Sequence, residues 1–341
     1  MFLLLALAAC QSGCYVLTQA YHQGKLYSQK QPISEVITSS DTPAPVQQRL
    51  RWSQDIVKFA EEQGLNVDGA YDQYIETSNK PVSHIVYAAA PDKLESKTWW
   101  FPIVGTVPYL GFFDRAERDE EAEELKSEGY DVGKGAVGAF STLGWFSDPI
   151  FRSMLERSHA ELAHLLFHEL THRTFWVSGN AEFNEQIAEF VGHKLAMQYL
   201  EQKHLRDELE DYLNRQEDQK TFHLWLSELR AELDRLFANK TLTKEQILAS
   251  KEQLYRSFLT NKKPSFKTDE FEPYFKKEWN NAVLLGIALY DLDVSVFEEA
   301  YACLKMRNVG EFLRKVENLL DDEENPEKML RQQCEKAQGE K

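Results

Sequence analysis

The sequence predicts an α+β chain dominated by helix. Strand-like texture, with aromatic and β-branched runs punctuated by Gly and Pro, is confined to about residues 82–143. After about residue 150 apolar residues recur at three- and four-residue spacing almost to the end. No internal repeat and no Gly-rich phosphate loop interrupts this pattern. A chain of 341 residues is long enough for one large domain or two ordinary ones. With no second domain signature, residues 15–341 read as a single domain behind a leader at 1–14. With 39 basic against 55 acidic residues, the net charge of −16 argues against a nucleic-acid partner, which would call for a basic patch.

The opening MFLLLALAAC is apolar up to Cys10 and too short to span a bilayer. It reads as the end of a secretory signal. Leu7-Ala8-Ala9-Cys10 fits the bacterial lipobox, in which the cysteine is lipidated. The expectation is a lipoprotein of the bacterial cell envelope facing the periplasm, held to the membrane by a lipid on Cys10. In that oxidising compartment Cys303 and Cys334 can pair.

Residues 15–64 read as helical, with a break at Asp41-Thr42-Pro43-Ala44-Pro45 and a C-cap at Gly64. The part from 65 to 150 holds a small sheet. VSHIVYAAA is a strand, WWFPIVGTVPYLGFF strand plus loop, and GAVGAFSTLGW a further strand. Between the last two, RAERDEEAEELKSEG is a helix closed by Gly129. Residues 150–195 hold two helices separated by a tight turn. Those from 195 to 260 form a charged helical hairpin, with Thr243-x-x-Gln246 capping its returning arm. A helical part from 261 to 341 ends in a charged tail read as frayed.

The chemistry lies in HLLFHELTHRTFWVSGNAEFNEQIAEFVG, residues 164–192. Ser158 and Glu161 make a capping box, so a helix starts there and runs to about Trp176. On it His168 and His172 are one turn apart and can offer imidazole nitrogens to one ion, with Glu169 beside them. This is H-E-x-x-H, two zinc ligands and a general base. Ser178-Gly179-Asn180 breaks the helix, and the returning one carries Glu185 and Glu189 on one face. One of these carboxylates would be the third ligand, and the other could accept the far N–H of a ligand histidine. Glu182 is a rival ligand beside the turn. His164, His168 and His172 span about 12 Å along the axis, too far for three rings to share one tetrahedral ion. His164 therefore reads as a capping or packing residue, and His193 as structural or surface.

These segments resemble known families. HELTH followed by NEQIAE is similar to the gluzincins, the thermolysin and aminopeptidase N class, although Glu185 follows His172 by only thirteen positions. Over most of residues 10–290 the chain more closely resembles a family of predicted bacterial aminopeptidases, typically lipoproteins. The resemblance is carried by CYVLTQAYHQGKLY, AAPDKLESKTWWFPIVGTVPYLGFFD, EGYDVGKGAVGAFSTLGWFSDP, the HELTH to NEQIAEFVG stretch, and WNNAVLL. It implies a zincin-like metallopeptidase, with one Zn²⁺ on His168, His172 and Glu185, the base at Glu169, and Glu189 behind a ligand histidine. In zincins an exposed edge strand lies beside the metal and pairs with an extended peptide. Ala139, Phe140, Ser141 and Thr142 are the candidates for it. Tyr109 and Tyr290 are candidates for a transition-state donor.

The function so implied is zinc-dependent hydrolysis of peptide or protein substrates. The aminopeptidase label comes from the family resemblance, because the Gly-x-Met-Glu-Asn motif of aminopeptidase N is missing here. Rival readings are an endopeptidase or other amide hydrolase, and an envelope binding or chaperone-like protein on a zincin scaffold.

Overall fold

The helices begin where the sequence supplies caps. Ser158 and Glu161 close a reciprocal capping box at the start of His159–Thr174, and Thr243 with Gln246 does so for Lys244–Asn261. Asp114 accepts from the Ala116 N–H at 2.6 Å to open Arg115–Ser127, and Gly129 ends that segment at φ +89°. Pro43 precedes helix Ala44–Glu62 and Pro45 sits in its first turn, where a missing N–H costs nothing. A computed structural model describes residues 24–77, 83–101, 105–137, 148–288, 293–320 and 326–339. Helix predominates and the strands are short, an α+β composition. Among the described residues no helix is long and apolar enough to cross a membrane.

The chain divides into two compact units, each built from separated stretches. One holds residues 81–138 and 213–291 together with the N-terminal stretch. Its sheet has Ser83–Ala89 in the centre, antiparallel to Leu110–Phe112 on one side and to Asp131–Val137 on the other. Val86, Ala88, Leu110 and Phe112 of the sheet pack with Ala122 and Leu125 of helix Arg115–Ser127. A two-stranded ladder pairs Trp99–Phe101 with Gly105–Val107. The Tyr87 ring lies so close to Gly133 and Gly286 that a methyl group at either would strike it. This unit also holds the helical hairpin and, after it, the short helix Asn281–Ala288. Phe222, Trp225, Leu226, Leu229 and Leu233 of Arg206–Phe237 bury against Tyr255 and Phe258 of Lys244–Asn261. Lys251, 2% exposed, pairs with Asp131 at 2.8 Å, and Asp131 also accepts from the Asn281 N–H at 2.9 Å.

The other unit holds residues 29–80, 139–212 and 292–341. Its short sheet orders Gln31–Pro32, Gln73–Ile75 and Ile150–Phe151, the first pair antiparallel and the second parallel. Helix Ala44–Glu62 packs on His159–Thr174, with Phe59, Phe167 and Tyr199 meeting edge to face or tilted. Helix Ala181–Gln202 rests on Ser295–Leu304 and Val309–Leu320 through Phe183, Phe190, Phe297 and Phe312. Backbones touch at Gly64 and Gly310, where the Gly310 N–H donates to Gln63 at 2.9 Å. Cys303 and Cys334 form a disulfide between helices Ser295–Leu304 and Pro326–Gly339, with Cα atoms 5.7 Å apart.

Several boundaries differ from the sequence reading. The strand expected at GAVGAFSTLGW starts earlier, at Asp131, and is described to Val137. The histidine-bearing helix stops at Thr174, because Phe175 is already extended at φ −144°, ψ 130°. The tail read as frayed is helical over Pro326–Gly339, where Met329 and Leu330 are buried and Cys334 is bonded.

Candidate metal centre

Two helices and the turn between them build the site. Helix His159–Thr174 carries the histidines, and helix Ala181–Gln202 carries the glutamates. Gly179 at φ +79° reverses the chain, and Asn180 then caps the second helix by accepting from the Phe183 N–H at 3.2 Å. Asn184, fully buried, clasps the turn from inside. Its Oδ1 accepts from the Val177 N–H and its Nδ2 donates to the Val177 carbonyl, both at 2.8 Å. Gly192 lets the helices approach closely, since a side chain there would press on the His164 ring. Together these features set residues opposite one another in antiparallel rungs, His172 with Glu185, His168 with Glu189, and His164 with His193 through Glu189.

His168, His172 and Glu185 converge. The two Nε2 atoms are 3.2 Å apart, His168 Nε2 lies 3.3 Å from Glu185 Oε2, and His172 Nε2 lies 3.5 Å from Glu185 Oε1. Zinc bonds of about 2.0–2.1 Å at the tetrahedral angle require ligand atoms about 3.3–3.4 Å apart. The donor set therefore has the spacing of one tetrahedral face, and its chemistry suits zinc. His168 Nδ1 lies 3.3 Å from Glu189 Oε2, which orients Nε2 toward the other donors. Two buried atoms, Glu169 Oε2 and His172 Nδ1, have no hydrogen-bond partner among the described residues. Trp176, 46% exposed, sets its ring edge-on to His172 at 5.7 Å.

Electrostatics follow from this crowding. Burial disfavours the imidazolium of His168. Hydrogen bonds with Glu185 and Glu189 and the charge of Glu169 outweigh it and raise the pKa to about 10. Burial likewise opposes the Glu185 carboxylate, yet its contacts with His168 and His172 hold it down at about 2. Glu189 is held well below the carboxylate range despite burial, by His164, His168 and His193.

Among the other sequence candidates, Glu182 is exposed in the first turn of its helix and outside the ligand group. Tyr109 belongs to the sheet-bearing unit, exposed between strands Gly105–Val107 and Leu110–Phe112. Ala139, Phe140, Ser141, Thr142, Tyr290 and Cys10 lie outside the described residues. His164, read as a capping or packing residue, and His193, read as structural or surface, join Glu189 and Tyr212 in a second polar cluster. Sequence reasoning also passed over the roles of Asn184, Gly192 and Tyr212. The four-residue spacing of His164 from His168 and of Glu189 from Glu185 was the available signal for the second cluster.

A family model described as "Putative aminopeptidase" matches residues 14–330. No curated protein and no solved structure matches the chain.

Proposed function

The chain belongs to this aminopeptidase family, and from that premise we propose that it is a zinc-dependent peptidase that hydrolyses peptide bonds, as an aminopeptidase. The observation that carries the zinc reading is the 3.2–3.5 Å spacing of the three donors contributed by His168, His172 and Glu185. These residues hold the ion, and Glu189 fixes the tautomer of His168 by accepting its Nδ1–H. Zinc, when bound, supplies a water of lowered pKa and a polarised scissile carbonyl. Glu169 takes the proton of the attacking water and hands it to the leaving amine nitrogen. Its unpartnered, buried Oε2 supports this role, since a carboxylate oxygen left without a donor is costly unless a bound group completes it. The exopeptidase specificity rests on the family alone.

The same proposal places the protein in the bacterial envelope with a lipid on Cys10. The apolar run up to that cysteine and the Cys303–Cys334 disulfide, a bond of oxidising compartments, support it.

A panel of aminoacyl and internally quenched peptides, assayed with and without chelator, tests the activity. Chelator-sensitive release from free N-termini is expected. Internal cleavage alone would make the enzyme an endopeptidase, and zinc bound without turnover on any substrate would leave a binding protein.

A further inference from the structure

The cluster one turn beyond the ligands repeats their chemistry. His164 Nε2 lies 3.2 Å from Glu189 Oε2, and His193 Nε2 lies 3.0 Å from Glu189 Oε1. On their far sides both rings reach one phenol. His164 Nδ1 and His193 Nδ1 lie 2.9 Å and 2.6 Å from the Tyr212 hydroxyl oxygen. The two rings meet at 4.4 Å and 77°, much as His168 and His172 meet at 4.9 Å and 81°. The three potential ligand atoms lie within 4.8 Å of one another.

Counting protons shows what this arrangement lacks. The cycle His164–Tyr212–His193–Glu189 has four polar contacts, and each hydrogen bond needs one proton. Two neutral imidazoles and one phenol supply three, and the carboxylate supplies none. One contact would then set lone pair against lone pair. A fourth proton on one imidazole would close the cycle, and so would a cation between the two Nε2 atoms and the carboxylate, which the convergence of the three donors within 4.8 Å allows. Both Nδ1–H groups would then donate to the Tyr212 oxygen, whose two lone pairs accept both. That is the outer support metal-ligating histidines ordinarily have. His193 also lines a cleft of about 450 Å³ together with Glu298, Tyr301 and Met306.

We propose that His164, Glu189 and His193 form a second divalent-cation site, backed by Tyr212, adjacent to the catalytic one. Two imidazoles and a carboxylate suit Zn²⁺ among the divalent ions. Glu189 faces both rungs, so the second ion draws on the carboxylate that steadies His168. The site stands on its own geometry and does not depend on the proposed peptidase activity.

Metal content of the whole purified protein tests it. The protein is stripped with chelator, reloaded with Zn²⁺ or Co²⁺ alone, and read by mass spectrometry and cobalt absorption. Wild type should bind two equivalents, and His193→Ala and His172→Ala one each. Tyr212→Phe, which keeps the packing, should weaken the second equivalent about 10–100-fold and spare the first. One equivalent in wild type, lost in His172→Ala and kept in His193→Ala, overturns the second site and leaves the catalytic reading standing. Two equivalents retained in His172→Ala would overturn the catalytic assignment instead. Zero equivalents in wild type would overturn both.

Discussion

The pair of site helices and the long helical hairpin bury polar groups in opposite ways. In the hairpin, Asp218 accepts from the backbone of Lys267 and Thr268 and from the Thr268 hydroxyl, each at 2.7 Å. Lys251 is matched by Asp131. Trp225 Nε1 is the exception there among the described residues. In the site pair, Glu169 Oε2, His172 Nδ1 and Gln186 Oε1 are all buried without a partner among the described residues. Polar burial that is complete reads as architecture. Polar burial that is left open on adjacent turns marks where a ligand is expected.

Substitutions test this contrast. Glu169→Gln should act most strongly, lowering kcat by about 10²–10⁴-fold while zinc content stays at the wild-type level. Normal turnover there would sink the assignment of the base. In the hairpin, Leu226→Ala, at a fully buried position, should cost about 2–5 kcal/mol of stability in urea titrations. Its zinc content should not change, and a loss of metal would erase the distinction between the two regions.

A pH effect of similar size is expected at His159. Its ring stacks on Trp52 at 4.4 Å, and its Nε2 lies 2.9 Å from the Tyr199 hydroxyl. Burial pushes its pKa down from 6.5 to about 4, against the pull of Asp55. Between those values the unfolded chain binds the extra proton and the folded one does not. Stability is therefore fully present above pH 6.5 and falls as pH drops toward 4, on the order of 3 kcal/mol. Urea titrations at pH 7 and pH 4.5 should show a steeper loss in wild type than in His159→Gln, and equal losses would refute the point. Smaller still, in a His193→Ala background that keeps one equivalent, Glu189→Gln should weaken zinc affinity about 10–100-fold through the His168 tautomer, read by competition with a chelating dye. An unchanged affinity would mean that His168 is oriented by something else.

Much of the candidate site was legible because its first members share one helix. His168, Glu169 and His172 sit within five consecutive residues, and helical geometry alone puts the two histidines on one face. Glu185 was legible one step further, since a Gly-Asn turn and a second periodic run imply a returning helix. Tyr212 was out of reach. It stands 48 residues from His164 on a third helix, and spacing within one helix says nothing about which helix packs against it. The Asn184 clasp was hidden for a related reason, as its partners are the backbone groups of Val177 in the preceding turn. The two units were equally illegible. Each is assembled from stretches far apart in the chain, so the change of texture over about 82–143 follows one stretch without showing which later stretch joins it.

The rungs join residues whose numbers sum to one constant, 172 with 185, 168 with 189 and 164 with 193. A slide of one helix by a single turn would set His172 opposite Glu189 and His168 opposite His193, an imidazole and carboxylate set almost as able to grip an ion. Such a ladder is therefore nearly degenerate in register, and a metal met too early can trap the wrong alignment. The Asn184 clasp and the contact at Gly192 single out one alignment before any ion arrives. Refolding with zinc present from the start should accordingly be slower than refolding with zinc added last, and most so in Asn184→Ala.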